Sequence, residues 1–165
     1  AEYARQTDHA HNPDDFALDY YLAEAGVRAF GVNFKLGYEV LEGGGGMTDL
    51  RAVQSPLATL HAFNGWTDQF LRTPGEGLED RYVTVGGPIP GWGVDWLVRY
   101  DDYRAENANT DYGSEWGAQL SKTFAQRYTL GVKYARYDTD FDAFVPGAAY
   151  STDVSKLWVW AQLKL

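Results

Sequence analysis

Three observations predict an all-β, antiparallel fold. Segments of about ten residues alternate apolar and polar side chains, the links between them alternate short and long, and aromatic residues reach 16% with no long apolar run. Side chains alternate across a strand, so each segment presents two chemically distinct faces. From Asp153 onward, Leu157, Val159, Ala161, Leu163 and Leu165 take one parity, and Lys156, Trp158, Trp160, Gln162 and Lys164 the other. A soluble sheet seldom carries such a bare apolar strand, because its edge invites aggregation. A transmembrane β-barrel turns that face to lipid. The predicted fold is therefore an antiparallel transmembrane β-barrel with about eight strands in this chain, short periplasmic turns and long extracellular loops.

The elements follow in order. Residues 2–8 alternate hardly at all. In 16–23, Phe16, Leu18, Tyr20 and Leu22 oppose Ala17, Asp19, Tyr21 and Ala23. In 32–41, Val32, Phe34, Leu36, Tyr38 and Val40 oppose Asn33, Lys35, Gly37 and Glu39. Residues 78–86 alternate poorly. In 92–101, Trp92, Val94, Trp96, Val98 and Tyr100 oppose Asp95, Arg99 and Asp101. In 113–124, Trp116, Ala118, Leu120 and Phe124 oppose Glu115, Gly117, Gln119, Ser121 and Thr123. In 128–135, Tyr128, Leu130, Val132 and Tyr134 oppose Thr129, Gly131, Lys133 and Ala135. The 153–165 segment completes the set.

Links around 24–31, 86–91 and 125–127 are short, and those around 9–15, 42–77, 102–112 and 138–152 are long and polar. This is the layout of an outer-membrane barrel, and a β-sandwich does not require it. Residues 1–165 read as a single β-barrel domain, with the carboxyl-terminal part of a larger barrel as the alternative. Within it, 43–77 is an extracellular loop too long to be an idle connection. Ser55 and Pro56 suit a helix start, and Leu57, Leu60, Phe63, Phe70 and Leu71 suit an apolar stripe. The segment is expected to form a short helical lobe, either packed over or into the barrel mouth or lying as a surface loop under its own side chains.

Bulk composition narrows the functional classes. Charged residues at 22% and hydrophobic residues at 45% argue for a folded chain. Twelve Tyr and six Trp suit aromatic girdles at two membrane surfaces. The absence of Cys excludes thiolate chemistry and disulfides and suits an oxidising compartment. A net charge of −9 points away from nucleic acid. Nothing resembles a signal peptide, so a mature chain or a fragment is expected.

With the aliphatic parity toward lipid, the lipid-facing candidates are Phe34, Leu36, Tyr38, Val94, Trp96, Val98, Trp116, Leu130, Val132, Val159 and Leu163. The lumen-facing candidates are Asp19, Lys35, Glu39, Asp95, Arg99, Asp101, Glu115, Lys133, Lys156 and Lys164. In a closed eight-stranded barrel these charges would fill the interior as paired ions, and in a wider one they would line water and set selectivity.

Other constellations are thin. His9 and His11 crowd carboxylates in DHAHNPDD, a weak metal pattern that reads more simply as a solvated loop, and no metal site is assigned. The DTDFD run at 138–142 lacks the Gly and terminal Glu of an EF-hand loop. Glu76, Glu79 and Asp80 cluster at a loop edge without a paired base, and His61 reads as a packing residue. No Ser-His-Asp spacing, P-loop or dinucleotide fingerprint is present, so no enzyme activity and no cofactor are expected.

The stretch PLATLHAFNGWTDQFL followed by GLEDRYVTVGG, with GVNFKLGYEVLEG before it and DVSKLWVWAQLKL after it, resembles the second half of bacterial outer-membrane porins of the alginate-export type. The family-specific likeness is confined to 56–87. The resemblance implies a passive channel in the outer membrane of a Gram-negative bacterium, touching the bilayer and lipopolysaccharide and passing small solutes or saccharide. Family members have more strands than are counted here, so this chain is expected to be the carboxyl-terminal portion of a larger barrel, one part of an assembly with a partner chain or oligomer, or a naturally short eight-stranded relative. The acidic balance points away from alginate, a polyanion, and toward a general or differently selective porin. Two alternatives stand beside the channel: a small closed barrel with a structural or docking role through its loops, and a soluble ligand-binding barrel or sandwich.

Overall fold

The computed structural model describes residues 1–9, 15–46, 51–55, 61, 64–142 and 144–164. Eight strands run in chain order: β1 (Glu2–Thr7), β2 (Ala17–Ala29), β3 (Val32–Leu41), β4 (Leu78–Ile89), β5 (Val94–Arg104), β6 (Asp111–Phe124), β7 (Tyr128–Thr139) and β8 (Val154–Leu163). Each pairs antiparallel with its sequence neighbours, giving one eight-stranded meander. Among the described residues no pairing joins β1 to β8. The expected closed barrel is therefore corrected to an open sheet with two lateral edges.

The short and long links fall where the spacing predicts. The β2–β3 hairpin turns through Phe30 and Gly31 and the β6–β7 hairpin through Ala125 and Gln126, all with positive φ. Two successive residues of positive φ match the twist of the flanking strands. Gly91 and Gly93, also of positive φ, lie in the β4–β5 link. Most strands outrun their sequence estimates at one end: β2 continues to Ala29, β4 to Ile89, β5 to Arg104 and β7 to Thr139.

Residues directly paired across an antiparallel ladder share a face. Tyr38 pairs with Arg81, Val83 with Tyr100, Tyr100 with Trp116, Ala118 with Tyr134, and Tyr134 with Leu157. All lie on one surface, here called the outer face. Glu39 pairs with Asp80, Tyr82 with Asp101, Glu115 with Tyr137, and Ala135 with Lys156, on the inner face.

The 42–77 link folds back over the inner face. Gln6 of β1 and Gln54 exchange hydrogen bonds, with Gln54 N–H donating at 2.9 Å. Lys156 of β8 donates to Asp68 at 2.8 Å. The sheet thus wraps this lobe, which reaches from β1 to β8. Residues 56–60 and 62–63 of the expected helix, and with them its proposed start and most of its apolar stripe, lie outside the described residues. Residues 64–73 form bends and turns with no helix, which corrects that part of the expectation. Asn64 and Gly65 have positive φ, and a helix cannot run through them. The one helical turn among the described residues is the 3₁₀ segment Ala149–Ser151, which the sequence did not announce.

The loop-side end of the inner face is an aromatic core. Phe70 sits at its centre, with ring centroids 4.5 Å from Tyr103, 5.7 Å from Tyr112, 6.0 Å from Tyr137 and 5.6 Å from Tyr150. Leu18, Leu41, Val53 and Leu78 close it from β2–β4 and the lobe. Leu71 points out of it and is exposed.

Candidate functional site

The site is the inner face beneath that core, where charged side chains from seven strands, β2 to β8, gather around the lobe. Arg99 on β5 is its hub. Its Nε donates to Asp101 Oδ1 at 2.7 Å, its Nη2 reaches Asp80 Oδ2 at 3.4 Å, and its guanidinium lies 4.0 Å from the Tyr82 ring centroid. Asp80 and Asp101 are fully buried. Tyr82 donates to Glu24 Oε1, which also accepts from Lys35 Nζ at 2.6 Å. Tyr20 donates to Glu39 Oε1 at 2.8 Å, and Asn64 Nδ2 donates to Glu39 Oε2 at 3.2 Å. A polar web thus runs from β2 to β5 through Glu24, Lys35, Tyr82 and Arg99, and beside it a second chain, Tyr20–Glu39–Asn64, ties β2 and β3 to the lobe.

Glu115 on β6 holds the lobe by its backbone. One carboxylate oxygen accepts from Trp66 N–H, and the other accepts from Thr67 N–H at 2.9 Å and from Thr67 Oγ1. All three donors are buried with it, and a charge-assisted bond to buried donors is among the stronger kinds. Asp68 then meets Lys156 at 2.8 Å, and His61 lies 2.9 Å from Lys133 Nζ.

Glycines seat three of the rings on this face. A Cβ at Gly37 would strike the Tyr82 ring, one at Gly117 the Trp66 ring, and one at Gly131 the Trp160 ring. Gly37–Tyr82 and Gly131–Trp160 are direct cross-strand pairs, whereas Trp66 comes from the lobe. Toward the turn side the inner face becomes sparse and polar. A cavity of about 350 Å³ is lined there by Asn33, Lys35, Thr84, Asp95, Gln119 and Ser121, among others.

Nine of the ten expected inner charges can be placed on this face or just beyond it. The register sets Lys35, Glu39, Asp95, Arg99, Asp101, Glu115, Lys133 and Lys156 on it, and Lys164 follows β8, its N–H bonding Arg127 O at 2.9 Å. Asp19 is a correction. It pairs with Arg5 on the outer face, accepts from Tyr3 at 3.0 Å, and shares the parity of Tyr21 and Ala23. On β2 it is Leu18, Tyr20, Leu22 and Glu24 that turn inward. The apolar residues turn inward there because this end of the inner face is the aromatic core, so apolarity does not mark the outer side.

Every expected outward residue lies on the outer face: Phe34, Leu36, Tyr38, Val94, Trp96, Val98, Trp116, Leu130, Val132, Val159 and Leu163. Leu36, Trp116, Leu130 and Val159 are more than half exposed, at 63%, 55%, 53% and 78%. Rows of Tyr38, Tyr100, Trp116 and Tyr134 above, and Phe34, Trp96, Phe124 and Tyr128 below, bracket aliphatic residues. Beyond the upper row come ion pairs, Arg104–Asp102 at 3.0 Å among them.

Sequence reasoning set Asp80 in a loop-edge cluster without a paired base, whereas it lies in β4 facing Arg99, and it missed Tyr82 and Tyr103, on a strand that alternates poorly and past a predicted strand end. Of the weak metal pair, His11 lies outside the described residues. Among the described residues no group of three or more His, Cys, Asp or Glu could hold a metal. Near the loops, burial pushes the Glu106 carboxyl and the Tyr150 hydroxyl above their usual ranges. No family model matches the chain, and no curated protein or solved structure is significantly similar to it.

Proposed function

We propose that this chain forms the wall of a bacterial outer-membrane β-barrel channel that passes small solutes or saccharides by diffusion. One observation carries the reading: the sheet is inside out relative to a soluble protein. Leu36, Leu157 and Val159 are 63%, 66% and 78% exposed, whereas Asp80 and Asp101 are 0% and Glu115 is 2% exposed. Exposing a contiguous apolar face to water is unfavourable at roughly 25 cal/mol per Å², and burying carboxylates adds to that cost. Lipid reverses the first term, and the bracketing aromatic rows suit the two bilayer surfaces.

In a bilayer the edges of β1 and β8 must be met, because each orphan backbone group costs several kcal/mol there. An eight-stranded interior has room only for side chains. A sheet wrapped around a backbone lobe is better closed by further strands, as in a wider barrel. The lobe is then a constriction, and the sparse cavity beneath it part of the passage. The resemblance of residues 56–87 to alginate-export porins agrees with this reading and rests on sequence pattern alone. The reading assigns no catalysis and no cofactor.

Reconstitution in planar bilayers tests it. Stepwise conductance is expected; a correctly folded, inserted chain that passes no current excludes a channel. The packing of the lobe against both halves of the sheet favours a second reading, a plugged barrel that docks a partner. A pull-down that loses its partner when residues 47–72 are deleted would select that reading.

A further inference from the structure

A cavity of about 450 Å³ lies where the lobe meets the β7–β8 link, beside the aromatic core. Leu71, Pro74, Val145, Pro146 and Tyr150 line it, so its walls are mainly apolar. The chain itself holds both walls in place. On the lobe, the Gln54 side chain donates to Thr73 O at 3.0 Å and accepts from Thr73 N–H at 3.2 Å. On the link, Ser151 Oγ accepts from Val145 N–H at 3.0 Å and donates to Ala148 O at 2.8 Å. The Phe70 and Tyr150 rings stack with centroids 5.6 Å apart and join the two walls. The size, the fixed walls and the apolar lining are those of a small-molecule site.

The polar groups around the cavity are unequally engaged. Asp68 accepts from Lys156 at 2.8 Å and lies 3.0 Å from His61, and Gln69 Nε2 donates to Thr67 O at 2.7 Å. Arg72 also lines the cavity, is exposed, and has no hydrogen bond or ion pair among the described residues. Its guanidinium is a planar fork of donors that matches a carboxylate. We propose that this cavity binds a small aromatic carboxylate. The apolar walls cover the ring, and Arg72 takes the carboxylate. A sugar needs several free hydrogen-bonding partners for its hydroxyls, and with Asp68 and the Gln69 amide nitrogen engaged elsewhere the lining offers few. The association is reversible, with no bond made or broken. It adds a recognition site beside the proposed passage and does not depend on a current being carried.

The test dialyses the full chain, folded in detergent micelles, to equilibrium against radiolabelled benzoate, with protein-free micelles as the blank. Saturable binding of one benzoate per chain is expected. Benzyl alcohol keeps the ring and lacks the charge, and it is expected to bind about tenfold less tightly. Arg72→Gln, a change at an exposed position, is expected to weaken benzoate about tenfold and to leave benzyl alcohol unchanged, with part of the loss recovered in Arg72→Lys. Ala149→Trp, which fills the cavity from the link, is expected to abolish binding of both. Absence of saturable benzoate binding overturns the proposal, as does unchanged benzoate affinity in Arg72→Gln or in Ala149→Trp. Displacement of benzoate by glucose as readily as by benzyl alcohol overturns the aromatic assignment. A benzoate site in a non-conducting chain sinks the channel alone, and a conducting chain without one sinks this site alone.

Discussion

Single residues on the inner face carry unequal weight. Glu115 satisfies two buried backbone donors and a hydroxyl, so Glu115→Ala strands the donors of Trp66 and Thr67. A loss of roughly 2–5 kcal/mol in urea unfolding from micelles is expected, with part recovered in Glu115→Gln. Asp80 is the opposite case. It is fully buried, has one long 3.4 Å contact to Arg99, and its Oδ1 finds no partner among the described residues. Asp80→Asn is expected to be neutral or stabilising in the same titration. Arg99→Met, which leaves Asp101 unpaired, is expected to cost roughly 3–5 kcal/mol. The parity of Arg99, Asp101 and Glu115 was legible in the sequence because Trp96, Val98, Tyr100 and Trp116 beside them take the opposite parity. Their partners were not, since Trp66 and Glu115 are 49 positions apart and no local pattern couples them.

At the level of elements, period-two alternation located six of the eight strands, while β1 and β4 alternate hardly or poorly. It failed on the parity of β2, where Phe16, Leu18, Tyr20 and Leu22 look outward by composition. Hydropathy reports contact with something apolar and does not distinguish lipid from the aromatic core around Phe70. The extra lengths of β5 and β7 hid for the same reason: Tyr103 and Tyr137 belong to that core and carry no alternating signal. The lobe's seat is a further long-range feature. Gly117→Val is expected to eject Trp66, and limited proteolysis should then cut within 61–73 faster than in the parent chain. The β6–β7 hairpin offers a gain. Ala125 and Gln126 hold φ of 48° and 60°, which Asn-Gly adopts with less strain. The double change A125N/Q126G is expected to raise stability by about 1 kcal/mol in urea unfolding.

At the scale of the molecule, the distribution of polarity decides the reading. The outer face is an apolar belt between aromatic rows, and the inner face is a charged web closed by a folded loop. That division could be read from the sequence, because it repeats on β3 and on β5 to β8. The open edge could not, because closure depends on how much chain the sheet encloses. A belt in contact with lipid makes Leu130→Arg costly, roughly 2–4 kcal/mol if it lies at mid-membrane. A belt facing water would make the change harmless. The most direct measurement is nitroxide collision in lipid vesicles, comparing dissolved oxygen with a water-soluble nickel chelate. Labels at Val98, Leu130 and Val159 are expected to meet oxygen and not nickel, and labels at Arg99 and Lys133 to be shielded from lipid. Nickel-accessible outer labels, or inner labels in hydrocarbon, would contradict the lipid-facing sheet.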